Sequence, residues 1–461
     1  MKKLLIANRG EVACRIIRSA REMGIATVSV YSEADATGLH VEMSDEAREI
    51  GPARPSDSYL KVEAILAVAA ETGADAIHPG YGFLSENAEF AEAVLAAGLI
   101  WIGPAPETIR LMGDKQSARR TAEAARVPIV PGSPRFAPGA LEGIDAAGEA
   151  VGYPLLVKAA SGGGGIGMRH VADPDALAKT AAMVQEAAVK SFGDGDIYLE
   201  RYLPNARHVE VQVFGFGDGT AIHLHERDCS LQRRFQKVIE EAPAPGLPEA
   251  TRDAMGEAAL SLCAEVSYSG AGTVEFILDS ATGEFFFLEM NTRIQVEHPV
   301  TEMVTGRDLV AMQLELAGSG DVKDRTPPRI DGWSIECRLY AENPAKKFFP
   351  SPGKLTRFDT PAPGPDLRIE TGFRFGDTVS PFYDPLLAKI VSHGADRAAA
   401  IARAIVALRE TTVEGIASNR EFLIACLASE EFAAGDVHTR FIDDHGATLL
   451  KAAATETESV G

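Results

Sequence analysis

The sequence predicts a mixed α/β and α+β protein whose N-terminal part is a doubly wound parallel sheet. Residues 3–7 form a short apolar run typical of a buried strand, and residues 12–23 carry apolar side chains at helical spacing. A second apolar strand, residues 26–31, follows Gly24 almost at once. This succession predicts parallel pairing, because a helix is the usual crossover between parallel strands. With 461 residues, the chain is long enough for about three domains.

Similar patterns continue through residues 64–73, 76–78 and 88–102, so residues 1–115 form one predicted domain. Its first turn contains Gly10 alone and lacks the Gly-x-Gly-x-x-Gly pattern, so a dinucleotide cofactor is not indicated. A segment rich in proline and glycine, residues 127–134, marks a boundary or hinge.

The rest of the chain alternates predicted strands with breaks. Residues 155–158 form a strand that leads into four glycines at positions 162–165, and residues 198–203 and 208–216 are further strands. A break at residues 326–328 opens a C-terminal region of strands up to Ile390, followed by a helix over 397–409. The alanine- and threonine-rich tail after Leu450 is expected to be frayed.

Charge and cysteine content narrow the class of protein. The 45 basic and 66 acidic residues give a net charge of -21, which argues against nucleic-acid binding, since that requires a basic surface. The five cysteines are scattered without a Cys-x-x-Cys pair, so buried reduced thiols are expected. The apolar runs fall short of the roughly 20 residues of a membrane-spanning helix, and the N-terminal run is too short for a secretion signal. We therefore expect a cytoplasmic protein with no membrane segment.

The glycine run indicates a loop that approaches phosphate, because glycine exposes backbone N–H groups without an obstructing Cβ. It is not a Walker A loop, since Gly167 is followed by Met168 instead of Lys and Ser or Thr. A flexible hairpin tip is the alternative interpretation. The basic residues that could hold phosphate are Lys115, Lys158, Lys237 and Arg338. Lys158 is the strongest of them, because it ends an apolar strand just before the glycines.

Two acidic residues lie at equal distances from a predicted turn near Thr282. Glu275 and Glu289 therefore become approximate cross-strand partners on one face, where opposed Cβ atoms are about 4.5–5.5 Å apart. Two like charges at that distance are destabilising unless a cation lies between them, and carboxylate oxygens suit Mg²⁺. The alternative is two solvated carboxylates that oppose each other by accident.

The predicted strand continues to Pro299 with polar residues at every second position. A straight strand would spread this row over roughly 26 Å, so it must curl if all members serve one site. The alternative is the polar outer face of an amphipathic strand. The members of the row are Glu289, Asn291, Arg293, Gln295 and Glu297.

Taken together, these residues resemble the ATP-grasp superfamily, and more closely the biotin carboxylase component of biotin-dependent carboxylases. The resemblance covers nearly the whole chain. It rests on Ile6-Ala-Asn-Arg-Gly-Glu-Val, Ile77-His-Pro-Gly-Tyr-Gly-Phe-Leu-Ser-Glu-Asn, Met112-Gly-Asp-Lys, Arg227-Asp-Cys-Ser-Leu-Gln-Arg-Arg, Lys237-Val-Ile-Glu-Glu-Ala-Pro-Ala-Pro-Gly, residues 289–302 and Tyr383-Asp-Pro-Leu-Leu-Ala-Lys.

The resemblance implies an N-terminal domain over residues 1–115, an ATP-grasp domain over 116–328 with a mobile lid near 130–203, a β-rich C-terminal domain over 329–446 and a tail over 447–461. It implies that ATP is bound by Lys115, Lys158, Gly163, Gly164, Gly165, Glu200, Leu203, His208 and Gln232. It implies that Mg²⁺, with Mn²⁺ as an alternative, is held by Glu275, Glu289 and Asn291. It assigns bicarbonate and biotin to Tyr81, Arg293, Gln295, Val296 and Arg338, and catalysis to Glu297, Arg338, Lys237 and Arg293.

The chemistry that the resemblance implies begins with Glu297 removing the proton of bicarbonate, which then attacks the γ-phosphorus of ATP to give carboxyphosphate. This breaks down to CO₂ and phosphate, the phosphate deprotonates biotin, and Arg338 stabilises the enolate oxygen. The chain contains no Ala-Met-Lys-Met segment for biotin attachment. The expected partners are therefore a biotin carboxyl carrier protein and a carboxyltransferase subunit, and a homodimer is expected.

The chain departs from the family pattern at three positions, Ile166, Phe235 and Trp333, where Lys or Arg, His, and His are usual. The first two predict weaker contact between lid and phosphates and a raised KM for ATP, with activity retained. Two other functions remain open at this stage. One is an ATP-grasp ligase that acts without biotin, and the other is a catalytically silent binding subunit.

Overall fold

The computed structural model describes residues 1–160, 168–192 and 195–460. The chain divides into two compact units, each described by itself. The first unit contains Met1–Val127, Arg207–Ile277 and Glu289–Gly461. The second unit contains Pro128–Ala206 and Leu278–Leu288.

The first unit opens with a five-stranded sheet in the order β3-β2-β1-β4-β5, and every pair of neighbours in it is parallel. This confirms the predicted parallel sheet. The elements are β1 (Lys3–Ile6), α1 (Gly10–Glu22), β2 (Ala26–Ser32), α2 (Leu39–Met43), β3 (Glu46–Gly51), α3 (Val62–Thr72), β4 (Ala76–His78), α4 (Ala88–Ala96), β5 (Ile100–Trp101), α5 (Pro106–Gly113) and α6 (Lys115–Ala124). Helix α1 buries Val12, Ile16 and Ile17 against this sheet, as its apolar spacing requires.

The second unit is built on a three-stranded antiparallel sheet in the order β7-β6-β8. Its elements are α7 (Ile144–Val151), β6 (Leu155–Ala159), β7 (Met168–Val171), α8 (Leu177–Phe192) and β8 (Ile197–Arg201). Leu155, Val157 and Leu199 are fully buried and pack against Val184 of α8, so this unit has a core of its own.

The largest sheet has eight strands in the order β13-β12-β9-β10-β11-β14-β21-β19. The first half of this region holds β9 (Ala206–Phe216), β10 (Ala221–Arg233), β11 (Gln236–Ala242), α9 (Glu249–Glu265), β12 (Ser269–Asp279), β13 (Phe285–Asn291), α10 (His298–Thr305) and α11 (Leu309–Ser319). The sheet-rich C-terminal half holds β14 (Trp333–Tyr340), β15 (Glu342–Asn343), β16 (Phe349–Pro350), β17 (Gly353–Lys354), β18 (Arg357–Asp359), β19 (Leu367–Thr371), β20 (Thr378–Val379), β21 (Leu386–Gly394), α12 (Arg397–Glu410), β22 (Thr412–Glu414), α13 (Arg420–Leu427), α14 (Glu430–Ala434) and α15 (Phe441–Val460).

The two faces of this sheet pack against different helices. One face packs Ile335, Cys337 and Ile390 into the C-terminal core with α12 and α13. The opposite face is covered by α10, where Val300 and Val304 meet Ala242 and Val391. Because side chains alternate along a strand, this second face also receives the charged residues of β11, β14 and β21 that are described below.

Helix α15 runs through the segment after Leu450, where the sequence predicts a frayed tail. Leu449 and Ala453, one turn apart, are buried in the C-terminal core, and alanine has the highest helix propensity. The five cysteines are free and buried, as expected. Among the described helices, none has the length and apolarity needed to cross a membrane.

Candidate functional site

Two acidic side chains on neighbouring strands form one side of the candidate site. Glu275 lies on β12 and Glu289 on β13, and these strands are adjacent in the large sheet. Asn291, at the end of β13, donates its Nδ2 to Glu275 Oε1 at 2.8 Å. Burial and the charge of Glu275 raise the pKa of Glu289. The two carboxylates therefore repel each other.

The ammonium of Lys237 is shared among three buried carboxylates. Its Nζ lies 2.6 Å from Glu210 Oε2, 3.0 Å from Glu275 Oε1 and 2.6 Å from Glu297 Oε1. One positive charge does not neutralise three negative ones, and Arg227 Nε adds a second cation at 2.6 Å from Glu210 Oε1. The site is thus a buried charge network in which each carboxylate depends on a shared cation.

His208 is also drawn into this network. Its Nε2 lies 2.8 Å from Glu275 Oε2. Burial lowers the pKa of His208, but the charge and hydrogen bond of Glu275, together with the charge of Glu210, outweigh burial and raise it. Burial raises the pKa of Glu275, but Lys237 and then His208 outweigh burial and hold it well below its usual range.

The strand that the sequence predicts through Pro299 ends at Asn291, and α10 begins at His298. The expectation of one continuous strand is therefore wrong. The inference that the row must curl if its members serve one site agrees with the structure, because the chain bends after Asn291 and brings the polar side chains together. Arg293 NH2 donates to Asn291 Oδ1 at 2.9 Å, and Gln295 Nε2 donates to Glu275 Oε1 at 3.3 Å. Hydrogen bonds among the polar side chains themselves hold the bend together.

Glu297 is fully buried between two cations. Its Oε1 lies 2.6 Å from Lys237 Nζ, and its Oε2 lies 2.9 Å from Arg338 NH2. Burial raises the pKa of Glu297, but Lys237, Arg338 and Arg227 outweigh burial and hold it well below its usual range. The carboxylate is therefore ionised at neutral pH and becomes more basic only if a cation is drawn away from it.

Arg338 NH2 is shared with a second acid, since it also lies 2.6 Å from Glu240 Oε1. Glu240 on β11 and Glu336 on β14 are directly opposed across the two strands, and neither side chain is exposed. Burial raises the pKa of Glu240 to about 7, although Arg338 lowers it. Burial and then Glu240 raise the pKa of Glu336, against the influence of Lys389. At neutral pH this pair therefore retains a proton.

The raised pKa of Glu240 predicts that the folded state loses stability as pH rises from 4.5 to about 7, because over that range only the folded state keeps the proton. At about 1.4 kcal/mol per pKa unit, this loss amounts to about 3 kcal/mol. The Glu240→Gln variant is expected to lack it, so its Tm should fall less than that of the wild type between pH 5 and 7.5. Glu410→Gln, at an exposed position on α12, is the matched control. Equal slopes for wild type and Glu240→Gln would contradict the prediction.

Tyr81 follows β4 in a loop that Asn8 braces. Asn8 Nδ2 donates to the carbonyl oxygens of Pro79 and Tyr81 at 2.7 Å each. Gly80 has φ +64°, and a Cβ there would lie 2.9 Å from Asn8 Nδ2, so the loop requires glycine at this position. The hydroxyl of Tyr81 donates to Glu11 Oε1.

Two further residues of the first unit that are predicted to bind ATP, Lys115 and Gln232, lie on α6 and β10. Lys115 is exposed at the first turn of α6, and its charge lowers the pKa of Glu289. Gln232 is buried on β10, directly opposite Lys237 on β11. Phe235, at the tip of the hairpin that joins these strands, is 78% exposed.

The second unit carries the remaining described ATP candidates. Lys158 Nζ lies 2.7 Å from Glu200 Oε1, across the β6–β8 pair. Leu203 follows β8 and is buried. Gly163, Gly164, Gly165 and Ile166 lie outside the described residues.

Sequence reasoning missed Glu210, Glu240, Glu336 and Lys389, and it gave no role to Arg227. Each is a charged residue within a strand, and each is fully buried. The available signal was the repeated charged residues inside predicted strands, since a charge that alternation directs to a covered face must be paired. Trp333, for which the sequence offered no explanation, donates its Nε1 to Glu241 Oε2 at 2.9 Å.

The oxygen-only set of Glu275, Glu289 and Asn291 fits Mg²⁺. Among the described residues, Glu289 has no ion-pair partner, and the repulsion that raises its pKa is what a divalent cation would relieve. Two other groups bring ligand atoms within 4.8 Å of one another, His208 with Glu210 and Glu275, and Glu210 with Cys229 and Glu297. In both of these groups every carboxylate already contacts the ammonium of Lys237, whereas in the first set Glu289 does not.

Family models match most of the chain. Residues 1–109 match "Biotin carboxylase, N-terminal domain", residues 114–324 match "Carbamoyl-phosphate synthase L chain, ATP binding domain", and residues 336–444 match "Biotin carboxylase C-terminal domain".

Individual relatives agree with these models. Biotin carboxylase 1 of Bacillus subtilis is 47% identical, over 96% of this chain and 99% of the relative. The alpha subunit of rat mitochondrial methylcrotonoyl-CoA carboxylase is also 47% identical, over 98% of this chain, but the match spans 63% of that protein. The biotin carboxylase domain dimer of 2-oxoglutarate carboxylase from Hydrogenobacter thermophilus, solved with MgADP, ADP and bicarbonate, matches with TM-score 0.86 and 42% identity over 97% of this chain and 98% of that one.

Proposed function

The chain belongs to the biotin carboxylase family, and from this premise we propose that it catalyses the ATP-dependent carboxylation of biotin by bicarbonate. The observation that carries the proposal is the buried Glu297 carboxylate held between Lys237 and Arg338. The bend that carries Glu297 also carries Arg293 and Gln295, whose NH1 and Oε1 atoms are 3.0 Å apart. A base, a guanidinium and an amide on one bend suit a small oxyanion that must lose a proton.

Bicarbonate binds to Arg293, Gln295 and the backbone of Val296, and Glu297 takes its proton. The arriving anion competes with Glu297 for Lys237 and Arg338. Weaker contact with these cations raises the pKa of Glu297, so the base gains strength when its substrate is present. The two cations thus keep the free enzyme from acting as a base on other molecules.

ATP supplies the phosphoryl group. An oxygen of the deprotonated bicarbonate forms a bond to the γ-phosphorus as the bond to ADP breaks, which gives carboxyphosphate and ADP. The family resemblance assigns the phosphates to Lys115, Lys158, Gly163, Gly164 and Gly165, and the nucleoside to Glu200, Leu203, His208 and Gln232. Glu275, Glu289 and Asn291 would hold Mg²⁺ or Mn²⁺, which would offset charge on the transferring phosphoryl group.

Carboxyphosphate then breaks into CO₂ and phosphate, and the phosphate removes the ureido proton of biotin. Arg338 stabilises the enolate oxygen that forms, and Tyr81 lies near the bound biotin. A guanidinium that is buried and already oriented by Glu240 and Glu297 needs little reorganisation to do this. The nitrogen of biotin finally attacks CO₂ to give carboxybiotin.

Biotin arrives on a biotin carboxyl carrier protein, and a carboxyltransferase subunit takes the carboxyl group onward. The rat relative in the preceding subsection is a subunit of a carboxylase, which supports such an assembly. A homodimer is supported by the dimer named for the Hydrogenobacter domain. We place the protein in the cytoplasm.

The test is incorporation of labelled bicarbonate into free biotin, measured with ADP release in the presence of ATP and Mg²⁺. We expect both signals to require bicarbonate and carboxybiotin to require biotin. The Arg338→Gln variant is expected to lose about 100-fold or more of biotin carboxylation, because Arg338 stabilises the enolate oxygen. Its bicarbonate-dependent ADP release should fall by a smaller factor, because Arg338 also lowers the pKa of Glu297.

Two outcomes would contradict the proposal. Bicarbonate-dependent ADP release that ignores biotin but responds to another acceptor would indicate a ligase of a different specificity. ATP binding without any bicarbonate-dependent turnover would indicate a silent binding subunit.

A further inference from the structure

Lys389 on β21 is a fully buried lysine that the mechanism above does not use. Its Nζ donates to the backbone oxygen of Val296 at 2.7 Å. The same Nζ lies 3.2 Å from Glu11 Oε1, in the first turn of α1. Burying an ammonium costs several kcal/mol unless its partners compensate, so a buried lysine at this place needs a reason.

The backbone oxygen that Lys389 contacts belongs to the peptide joining Val296 to Glu297. Because a peptide group is planar, fixing this oxygen also fixes the N–H and the Cα of Glu297. These residues form a turn, outside any strand, so no sheet hydrogen bonds hold the peptide in place. Lys389 therefore supplies the constraint that a sheet would otherwise provide.

The acid partner of Lys389 also contacts Tyr81, which the proposed function places near biotin. Glu11 Oε1 accepts from the hydroxyl of Tyr81 as well as from Lys389. The Oε2 of Glu11 is buried without a hydrogen-bond partner among the described residues, so Oε1 takes both of its contacts. A chain of contacts thus runs from Tyr81 through Glu11 and Lys389 to the peptide of Glu297.

The position of Lys389 is unfavourable in other respects. The N-terminal end of α10, which begins at His298, carries partial positive charge that an ammonium opposes. Lys389 also lies directly opposite Arg338 on the neighbouring strand. The acids that face it from other elements are Glu11 on α1, Glu370, which lies directly opposite it on β19, and Glu336 on β14. A residue that serves packing alone would fill this position better as an apolar side chain.

We propose that Lys389 is a positioning residue that fixes the peptide of Glu297, so that this carboxylate meets the proton of bicarbonate, and that Glu11 holds Lys389 in place. The inference rests on the proposed function, because it gives Glu297 the role of base. Lys389 touches neither substrate and acts only through Glu297.

The test measures bicarbonate-dependent ATP hydrolysis in Lys389→Met, Lys389→Arg and Glu11→Gln. For Lys389→Met we expect kcat to fall about 10- to 100-fold while the KM for ATP stays within about twofold, since misplacement of about 1 Å is enough for such a loss. Lys389→Arg should recover part of the rate, because it keeps a donor for the Val296 oxygen. Glu11→Gln should lower kcat in the same direction by a smaller factor, and it covers the case in which Lys389→Met does not fold.

A double-mutant cycle with Glu297→Gln distinguishes positioning from general damage. If Lys389 acts through Glu297, Lys389→Met should cost less than about threefold in the Glu297→Gln background. Two results would overturn the inference and leave the proposed function standing. One is a loss in the double variant that equals the product of the two single losses, and the other is a KM for ATP that rises together with the loss in kcat. A wild-type protein without bicarbonate-dependent hydrolysis would instead overturn the proposed function and this inference with it.

Discussion

Replacing Glu297 with glutamine is expected to lower bicarbonate-dependent ATP hydrolysis by about 100- to 10,000-fold, the usual contribution of a general base. Glutamine keeps the size of the side chain and can still contact Lys237 and Arg338, but it cannot take a proton. The KM for ATP should change little, because Glu297 contacts no predicted nucleotide ligand among the described residues. The measurement is steady-state ADP release at varied bicarbonate and at varied ATP.

The matched control is Glu410→Gln, which removes one carboxylate from an exposed position on α12 and should leave both constants unchanged. A Glu297→Gln enzyme that keeps more than about a tenth of the wild-type rate would show that another group accepts the proton. In that case Glu297 would serve only to hold Lys237 and Arg338.

The parallel sheet at the start of the chain follows directly from its sequence, because strand and helix periodicities alternate there without interruption. The contacts that Glu275 makes were harder to predict from the sequence. Equal spacing from a turn places Glu275 near Glu289, but it does not show that Lys237, from a different strand, reaches Glu275 at 3.0 Å. Contacts between strands that are distant in sequence depend on sheet order, which local pattern does not determine.

The bend after Asn291 illustrates a second limit. Polar residues at every second position are the pattern of a strand, and the sequence contains no strong breaker before Pro299. Arithmetic on strand length showed that the row had to curl, while the hydrogen bond from Arg293 to Asn291 that holds the curl was visible only in the structure. The side chains proposed to bind bicarbonate are also those whose hydrogen bonds distort the local element, so periodicity fails first at the proposed site.

Buried charge was the largest omission. Glu240 and Glu336 stand in β-strands that mix charged and apolar residues, and each acid alone is consistent with a solvated face. Only their register, which opposes them directly beneath α10, shows that they share one environment. The family resemblance carried the roles of Glu297 and Arg338 to this chain, but it said nothing of Glu240, which contacts Arg338 at 2.6 Å.

The second large effect is expected from Lys237→Gln. Lys237 is the strongest of the charges that lower the pKa of Glu297, so removing it should raise that pKa. A base works only when ionised, and the rate is lost as pH falls through its pKa. The acid limb of kcat/KM for bicarbonate should therefore move to higher pH in Lys237→Gln, and the maximal rate should fall about 100- to 1,000-fold because a preorganised charge is lost.

The same substitution should destabilise the fold by about 3–5 kcal/mol, since it leaves Glu210, Glu275 and Glu297 buried around a missing cation. Lys61→Gln, at an exposed position, is the matched control and should change neither the pH profile nor the Tm. Activity between pH 5 and 9 and thermal unfolding at pH 7 check both effects. If the rate falls but the acid limb stays at the same pH, Lys237 contacts substrate without controlling the pKa of Glu297. Only a change in the pKa of the base would move the pH at which the rate is lost.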